Sequence, residues 1–255
     1  MVARSPLPSR IFLLAAAPAA ALAAMFAAGA QETAPAEEIL ATSIAHHDPG
    51  GLWSSGAFQL EIAGTRPIAG PTMTTILIDN AAGSFHYKRE RFGSVIEATV
   101  TGDECVATLD GESELTAQQI ERFGLACESL RTTRDYHLYL YGLPMKLRDP
   151  GAHIDPQAVR TTFQGRDVWQ LRVSYDPEVG TDTWHFYFDP AGSALVGYRF
   201  DRPAGAGAGE YIVLDREIEG GGLRLPKVRS WFGAADHELL GTDTIRSITR
   251  LGSGR

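Results

Sequence analysis

Residues 169–200 read WQLRVSYDPEVGTDTWHFYFDPAGSALVGYRF and carry the clearest structural pattern of the chain. Apolar and polar residues alternate with a period of two from Trp169 to Tyr175 and again from Trp184 to Phe188, which is typical of β-strands with one buried face. Asp189-Pro190-Ala191-Gly192 is a turn sequence, and Leu195–Phe200 returns from it. Because strands joined by short turns are antiparallel neighbours, this stretch predicts an antiparallel meander.

The same alternation continues on both sides of the meander, and two helical segments interrupt it. One helix is expected over residues 36–47, and a second helical region begins at Thr116, where Thr116 and Gln119 fit a capping box, and continues to about Tyr141. About ten or eleven strands with a few helices place the chain in the α+β class. The remaining strands are predicted near residues 58–62, 76–78, 85–88, 96–100, 105–109, 210–218, 223–231 and 238–248, with residues 31–36 as a flexible lead-in and 203–209 as a Gly/Ala-rich loop.

The first 30 residues have the three-part layout of a secretory signal peptide. Two arginines precede an apolar run over residues 11–28, and Ala28-Gly29-Ala30 is a small-x-small cleavage sequence. An uncleaved anchor is the alternative, because the run is as long as a short membrane span; its alanine content and internal proline favour cleavage near Ala30. No cysteine stands near this site, so a lipoprotein anchor is not expected. Residues 31–255 are expected to form one periplasmic or secreted domain without stable membrane insertion.

The charge of the chain argues against two classes of partner. Loss of Arg4 and Arg10 with the signal peptide takes the formal net charge from −8 to −10. Nucleic acids and anionic membranes bind clustered basic residues, so neither is expected as a main partner.

Cys105 and Cys127 are the two cysteines of the sequence. In an oxidising compartment they are expected to form a disulfide, worth about 3 kcal/mol for a loop of this size; two buried free thiols are the alternative. Helical spacing places Cys127 on the face that points at the sheet, where Cys105 at the start of a strand can meet it. That face also contains Ile120, Phe123 and Leu130.

His46-His47-Asp48 is the most suggestive polar cluster, because two imidazoles and a carboxylate can bind a metal or transfer protons. Adjacent helical side chains diverge, however, and histidines at a helix C-terminus also interact favourably with the helix dipole. The sequence contains no G-x-S-x-G elbow, P-loop, H-E-x-x-H or dinucleotide motif. No catalytic residue and no cofactor is therefore predicted.

The strands are rich in aromatic residues, which supply more apolar surface than a flat one-sided sheet needs. A curved sheet whose concave face lines a cavity is one explanation. The other is that the helices over residues 36–47 and 116–141 pack into the concavity and fill it as an ordinary core, since both carry apolar stripes.

Four segments of the chain form a recognisable layout. They are the signal peptide, Ala45-His46-His47-Asp48-Pro49 at the end of the first helix, Trp169–Tyr175 and Trp184–Phe200 around the Asp-Pro-Ala-Gly turn, and Gly222-Leu223-Arg224-Leu225-Pro226-Lys227. Together they resemble the LolA/LolB-like periplasmic superfamily, and in particular an uncharacterised branch of it among exported bacterial proteins, over nearly the whole mature chain. The resemblance implies an incomplete antiparallel β barrel whose helices cover a concave face, and in the carriers this face accepts lipoprotein acyl chains.

The aromatic strands and this resemblance lead to the primary hypothesis of a soluble periplasmic binding or carrier domain for a hydrophobic ligand, a lipid or an acylated molecule, without bond chemistry. One alternative is a metal-dependent enzyme that uses His46, His47 and Asp48. Another is an envelope scaffold that binds a protein partner along an exposed strand edge. The candidate ligand wall consists of Phe58, Leu60, Phe85, Trp169, Leu171, Trp184 and Phe186.

Overall fold

The computed structural model describes residues 31–204 and 207–252, and these residues belong to one compact unit. The predicted signal peptide, residues 1–30, and the centre of the predicted loop 203–209 lie outside the described residues. Within them, 14 strands form one antiparallel sheet. The strands are β1 (Thr33–Pro35), β2 (Ala57–Arg66), β3 (Gly70–Asp79), β4 (Ser84–Arg91), β5 (Ser94–Thr101), β6 (Glu104–Leu109), β7 (Ala152–Ile154), β8 (Gln157–Phe163), β9 (Arg166–Tyr175), β10 (Thr183–Phe188), β11 (Leu195–Asp201), β12 (Glu210–Gly220), β13 (Leu223–Gly233) and β14 (Leu239–Leu251).

The sheet is open, and its order joins two meanders through the last strand. The order is β1-β8-β9-β10-β11-β12-β13-β14-β2-β3-β4-β5-β6, with β7 paired to β9. Pairing of β14 with β2 runs from Thr242 opposite Thr65 to Leu251 opposite Ala57. The edge strands β1 and β6 are not paired with each other, so the expected mostly antiparallel, incompletely closed sheet of the α+β class is confirmed.

Because the strands are antiparallel, successive turns lie at opposite ends of the sheet. We call the end with the turns at residues 67–69, 92–93 and 234–238 the upper end. The lower end has the turns at residues 80–83, 102–103, 189–194 and 221–222.

In the described residues, three α-helices and one 3-10 helix accompany the sheet, namely α1 (Ala36–His47), α2 (Ala117–Phe123), α3 (Cys127–Gly142) and the 3-10 helix Met145–Arg148. The bounds of α1 confirm the prediction. The predicted capping box is also present, because the Thr116 hydroxyl accepts from the Gln119 N–H and the Gln119 side chain accepts from the Thr116 N–H. The second helical region was wrongly predicted as one helix, since Gly124 ends α2 in the left-handed conformation (φ 66°).

One hydrophobic core lies on the inner face of the sheet. It combines inward-facing side chains from both meanders with Leu40 of α1 and with Leu130, Leu140 and Tyr141 of α3. The sheet therefore curves around these helices. A second, smaller cluster lies on the outer face and consists of Phe163, Val168, Tyr187, Val196 and Tyr211.

The described residues form 14 strands rather than the predicted ten or eleven, because β1, β7 and β8 were not predicted. Residues 33–35, expected to be part of a flexible lead-in, form β1, in which Ala34 lies opposite Ala158 of β8. So short a segment has no measurable alternation, and its partner is more than 120 residues away, so local pattern could not reveal it. Its proline is compatible with an edge strand, because proline has no backbone N–H and one side of an edge strand makes no hydrogen bonds to another strand.

The disulfide prediction is confirmed. Cys105 of β6 and Cys127, the first residue of α3, are bonded, with their Cα atoms 5.5 Å apart. This bond fixes the N-terminal end of α3 to the edge strand of the sheet.

Candidate functional site

The predicted histidine cluster lies at the C-terminal end of α1, near the lower end of the sheet. His46 Nδ1 lies 3.2 Å from Nη1 of Arg224, and Nε2 lies 2.7 Å from Oε1 of Glu217. Because a guanidinium can only donate, Nδ1 accepts and Nε2 carries the proton that it donates to Glu217. Both ring nitrogens of His46 are therefore engaged by protein groups.

His47 is fully buried and joins α1 to two strands. Its Nε2 accepts the backbone N–H of Leu195 at 2.9 Å, and its Nδ1 donates to the carbonyl of Arg224 at 2.6 Å. Burial lowers the pKa of His47 from 6.5 to about 4, because the charged imidazolium loses its hydration. The ring is thus a neutral bridge from α1 to β11 and β13.

Asp48 does not join the two histidines. Its Oδ1 accepts the N–H of Leu52 at 2.7 Å and its Oδ2 accepts the N–H of Trp53 at 2.9 Å, so it organises the turn after α1. Glu217 takes its place, and ligand atoms of His46, His47 and Glu217 lie within 4.8 Å of one another. A metal at this point would have to displace the hydrogen bonds of both rings. The geometry therefore favours a structural role, in which the two histidines attach α1 to the sheet, rather than a metal centre.

All seven predicted wall residues lie on the inner face of the sheet, in the part that α1 and α3 cover. Five of them are completely buried, Trp169 is buried and Trp184 is half-buried. Two residues of α3 contact this wall. The ring centre of His137 lies 5.6 Å from that of Phe85, and the ring centre of Tyr139 lies 5.7 Å from that of Trp184. In this structure the helices therefore fill this part of the concavity as core.

The inner face is open nearer the upper end, where a cavity of about 930 Å³ lies between α3 and strands β2, β3 and β4. It is of the size typical of small-molecule sites. Its lining includes Ile62, Thr74, Arg89, His137, Tyr141 and Asp243.

The inward-facing residues of β4 change from apolar to cationic towards the upper end. Phe85 and Tyr87 are buried, Arg89 is half-buried and Arg91 is exposed. Alternate residues of a strand share a face, so the two arginines continue the row that the two aromatic rings begin. The cavity therefore lies over the point where the core gives way to positive charge.

The neighbouring strands change in the same direction. In β2, Arg66 follows Ile62 on the inner face, and in β3, Thr74 and Thr72 follow Ile76. The cavity thus has an apolar floor next to the core and a polar rim near the turns.

Arg66 is held in place by its neighbours. Its Nη1 donates to Oδ1 of Asp243 at 2.9 Å, and its guanidinium lies 5.2 Å from the centre of the Trp231 ring. A Cβ at Gly241 would lie 2.4 Å from Cδ of Arg66, and one at Gly64 would lie 2.9 Å from Oδ1 of Asp243. The two glycines therefore make room for a compensated ion pair at the rim.

Arg89 differs from Arg66 because no acidic side chain in the described part of the chain forms an ion pair with it. Its Nε donates to Oγ1 of Thr74 at 3.0 Å. None of the ion pairs formed within residues 31–204 and 207–252 involves Arg89 or Arg91. The nearby His137 adds no charge, because burial lowers its pKa to about 4. The rim therefore carries uncompensated positive charge.

Apolar side chains are exposed around the mouth of the cavity. Phe92, in the turn after β4, lines the cavity and is 61% exposed, and Ile68, in the turn between β2 and β3 at the same end of the sheet, is fully exposed. Large exposed apolar groups that cluster at a cavity often mark a place of interaction.

A buried arginine connects α3 to the sheet beside the cavity. Arg229 donates from Nη1 to the carbonyl of Pro226 at 2.8 Å and from Nη2 to the carbonyl of Leu140 at 3.2 Å. Its guanidinium carbon lies 4.5 Å from the centre of the Tyr141 ring. This contact holds the C-terminal part of α3 against β13 and so helps to set the wall of the cavity.

The sequence interpretation missed the arginines of the cavity. The signal was present, because Arg89 and Arg91 continue the alternation of Phe85 and Tyr87 and must share their face. Lysine and arginine near a strand end are normally interpreted as solvated residues, and only the path of α3 shows that this end of the inner face is left open.

No helix in the part of the chain that the structure describes combines the length and apolar character needed to cross a bilayer.

Comparison with known proteins assigns the fold. The sequence matches the model of a family of unknown function, DUF6503, over residues 21–247, and it matches no curated protein. The structure is similar to a domain from Vibrio parahaemolyticus named for outer membrane lipoprotein sorting, with 11% identity, TM-score 0.50, and coverage of 86% of this chain and 93% of that chain. It is also similar to a LolA superfamily protein from Nitrosomonas europaea, with 10% identity, TM-score 0.51, and coverage of 87% and 96%. At these identities the fold is what is shared, and the predicted LolA-like resemblance is confirmed at that level.

Proposed function

The chain belongs to the DUF6503 family, and we propose that it is a periplasmic binding or carrier domain that reversibly buries the apolar part of a lipid or an acylated molecule in the cavity at the upper end. The domain would reach the periplasm through the predicted signal peptide. Its work is desolvation of the ligand rather than the making or breaking of bonds.

The observation that carries this proposal is the cavity itself. A volume of about 930 Å³ beside the core, with Ile62 and Tyr141 in its lining, gives the apolar part of a ligand a place where it can be removed from water. Burial of apolar surface contributes about 25 cal/mol per Å², so a chain of several methylene groups suffices for useful affinity.

The exposed side chains at the mouth fit an entry for such a ligand. Ile68 and Phe92 present apolar surface to water, and a ligand or a ligand-bearing partner would cover it on binding. The fold supports the same idea, because a structurally similar protein is named for lipoprotein sorting.

We propose that the seven residues of the predicted wall form a deeper part of the same ligand site. They are Phe58, Leu60, Phe85, Trp169, Leu171, Trp184 and Phe186, and α3 covers several of them. A ligand would touch them only if α3 moved away from the sheet, so the open cavity is its first position.

A cavity-filling variant tests the proposal. Thr74 is 4% exposed and faces the cavity, whereas its neighbour Thr75 faces outward. We expect Thr74→Phe to weaken binding of the neutral fluorescent probe N-phenyl-1-naphthylamine by about tenfold or more, because the ring occupies the cavity. Thr75→Phe adds the same ring to the outer face and is the matched control.

Binding is measured by fluorescence titration after organic extraction of the purified protein, with hexadecanol as the competitor. Unfolding curves of both variants separate lost binding from lost stability. Equal affinity of the two variants, or no binding by the unmodified protein, would contradict the proposal.

A further inference from the structure

We infer that the cavity selects an amphiphile whose head is an anion, a phosphate or a carboxylate, which Arg89 and Arg91 bind while the chain lies over Ile62 and Tyr141. This inference rests on the proposed carrier function and adds the chemical class of the ligand. The cationic side chains and the apolar floor of one cavity define a ligand with two unlike parts.

The first reason is the unbalanced charge of the lining. The cavity residues include four arginines, Arg66, Arg89, Arg91 and Arg246, but only two acidic residues, Glu90 and Asp243. The whole chain has a formal net charge of −8. A positive cavity on an acidic protein concentrates field lines where an anion would bind.

The second reason is the state of Arg89. Its Nε is used by Thr74, while its two terminal nitrogens remain as a planar fork of donors on a half-buried side chain. Guanidinium groups of this kind bind phosphate and carboxylate with two parallel hydrogen bonds. A charge removed in part from water gains most from a partner of opposite sign.

The third reason is the contrast with Arg66. Asp243 neutralises Arg66 with hydrogen bonds of 2.9 and 3.4 Å, so this side chain has little charge left for a ligand. Arg91 lies next to Arg89 on the inner face of β4, and its guanidinium carbon is 4.8 Å from the centre of the exposed Phe92 ring. The free charge is thus placed beside apolar surface, as the head and first methylene groups of an amphiphile require.

The order of residues along β4 gives the direction of binding. Towards the upper end the inner face passes from buried Tyr87 to half-buried Arg89 and exposed Arg91. The chain therefore points to the core and the anionic head to the mouth, where it stays partly hydrated and avoids the desolvation of a full charge.

Matched ligands test the inference. Hexadecyl phosphate and hexadecanol share one chain and differ in the charge of the head, and inorganic phosphate carries the head alone. We expect the delipidated protein to bind hexadecyl phosphate at least about tenfold more tightly than hexadecanol, since hydrogen bonds to charged groups are worth more than neutral ones.

Two variants change the charge of the cavity in opposite directions. Arg89→Gln is expected to abolish most of the preference for hexadecyl phosphate over hexadecanol. Asp243→Asn frees Arg66 and is expected to increase the preference several-fold. The control is Arg172→Gln. Arg172 is an exposed residue of β9 that lies outside the cavity and pairs with Asp155, so its substitution should not change the affinity for hexadecyl phosphate or for hexadecanol.

The outcomes separate this inference from the carrier proposal. If both hexadecyl compounds bind with equal affinity, and Arg89→Gln and Asp243→Asn do not change it, the inference of an anionic head is wrong. The carrier proposal is not affected by this result. Inorganic phosphate that binds as tightly as hexadecyl phosphate would overturn the amphiphile. Failure of every chain-bearing ligand to bind would overturn the carrier proposal and the inference with it.

Discussion

Gly197 of β11 shows how one residue can decide the packing of the outer face. The ring of Phe163 stacks on Tyr187 with centroids 4.0 Å apart, and Tyr187 lies opposite Gly197 in the sheet. A Cβ at Gly197 would lie 2.3 Å from Cε1 of Phe163 and 2.7 Å from the carbonyl oxygen of Ile212. The absence of a side chain is therefore what allows the aromatic ring to cover the strand.

Gly197→Ala is accordingly expected to destabilise the protein by roughly 1–3 kcal/mol, because the backbone oxygen cannot move and the stacked ring must. Urea unfolding of the variant measures the loss. Gly180→Ala, in the loop after β9, meets no atom within 4 Å and should change stability by less than about 0.5 kcal/mol. Similar stabilities for the two variants would refute this account of the outer face.

Helix α1 is attached to the sheet by its last residues. His47 bridges Leu195 of β11 and Arg224 of β13 through its two nitrogens, whereas His46 makes half-exposed contacts with Glu217 and Arg224. The two adjacent histidines therefore differ in what their removal leaves behind.

We expect His47→Ala to lower the free energy of unfolding by about 2–4 kcal/mol, since it leaves a buried N–H and a buried carbonyl without partners. His46→Ala is expected to cost less than about 1 kcal/mol, because water can replace the hydrogen bonds of a half-exposed ring. Denaturant unfolding with and without a chelator measures both. Equal effects of the two substitutions, or stability that depends on added divalent metal, would favour a metal held by His46, His47 and Glu217.

The sequence predicted those elements whose pattern is local and long. Helix α1 was predicted to the residue, because Pro35, two acidic residues and the Asp48-Pro49 stop mark its ends. The three-residue strand β1 was missed, since β8 alone defines it, and the second helical region was taken as one helix although Gly124 divides it. The spacing of apolar residues continues through such a break, whereas the helical backbone conformation ends at the glycine.

The inner face of the sheet divides into a part that the helices cover and a part that they leave open. The sequence predicted the inward-facing aromatic residues but left open whether they line a cavity or a core. The structure shows core beneath α1 and α3, and a cavity at the end of the face that α3 leaves uncovered. The division depends on the course of one helix, which the disulfide at Cys127 and the buried Arg229 fix at its two ends, and such long-range contacts leave no local pattern.

Two buried neutral histidines make the stability of the whole fold depend on pH. Burial lowers the pKa of His47 and of His137 from 6.5 to about 4. Nearby charges also act on these pKa values. Arg229 lowers and Glu217 raises the pKa of His47, and Arg89 lowers and Asp243 raises the pKa of His137.

Between pH 6.5 and pH 4 the unfolded chain binds protons at both rings and the folded chain does not, so stability must fall as the pH falls. Each histidine contributes about 1.4 kcal/mol per pH unit within this window. Urea unfolding at pH 7.5, 6 and 5 should show a steep loss below pH 6.5, and His137→Gln should reduce the slope, because glutamine does not titrate and can still donate to the carbonyl of Thr133 that His137 Nδ1 contacts at 2.6 Å. A slope that the substitution leaves unchanged would mean that His137 has the same pKa in the folded and the unfolded chain, and the cavity wall would then gain a positive charge below pH 6.5.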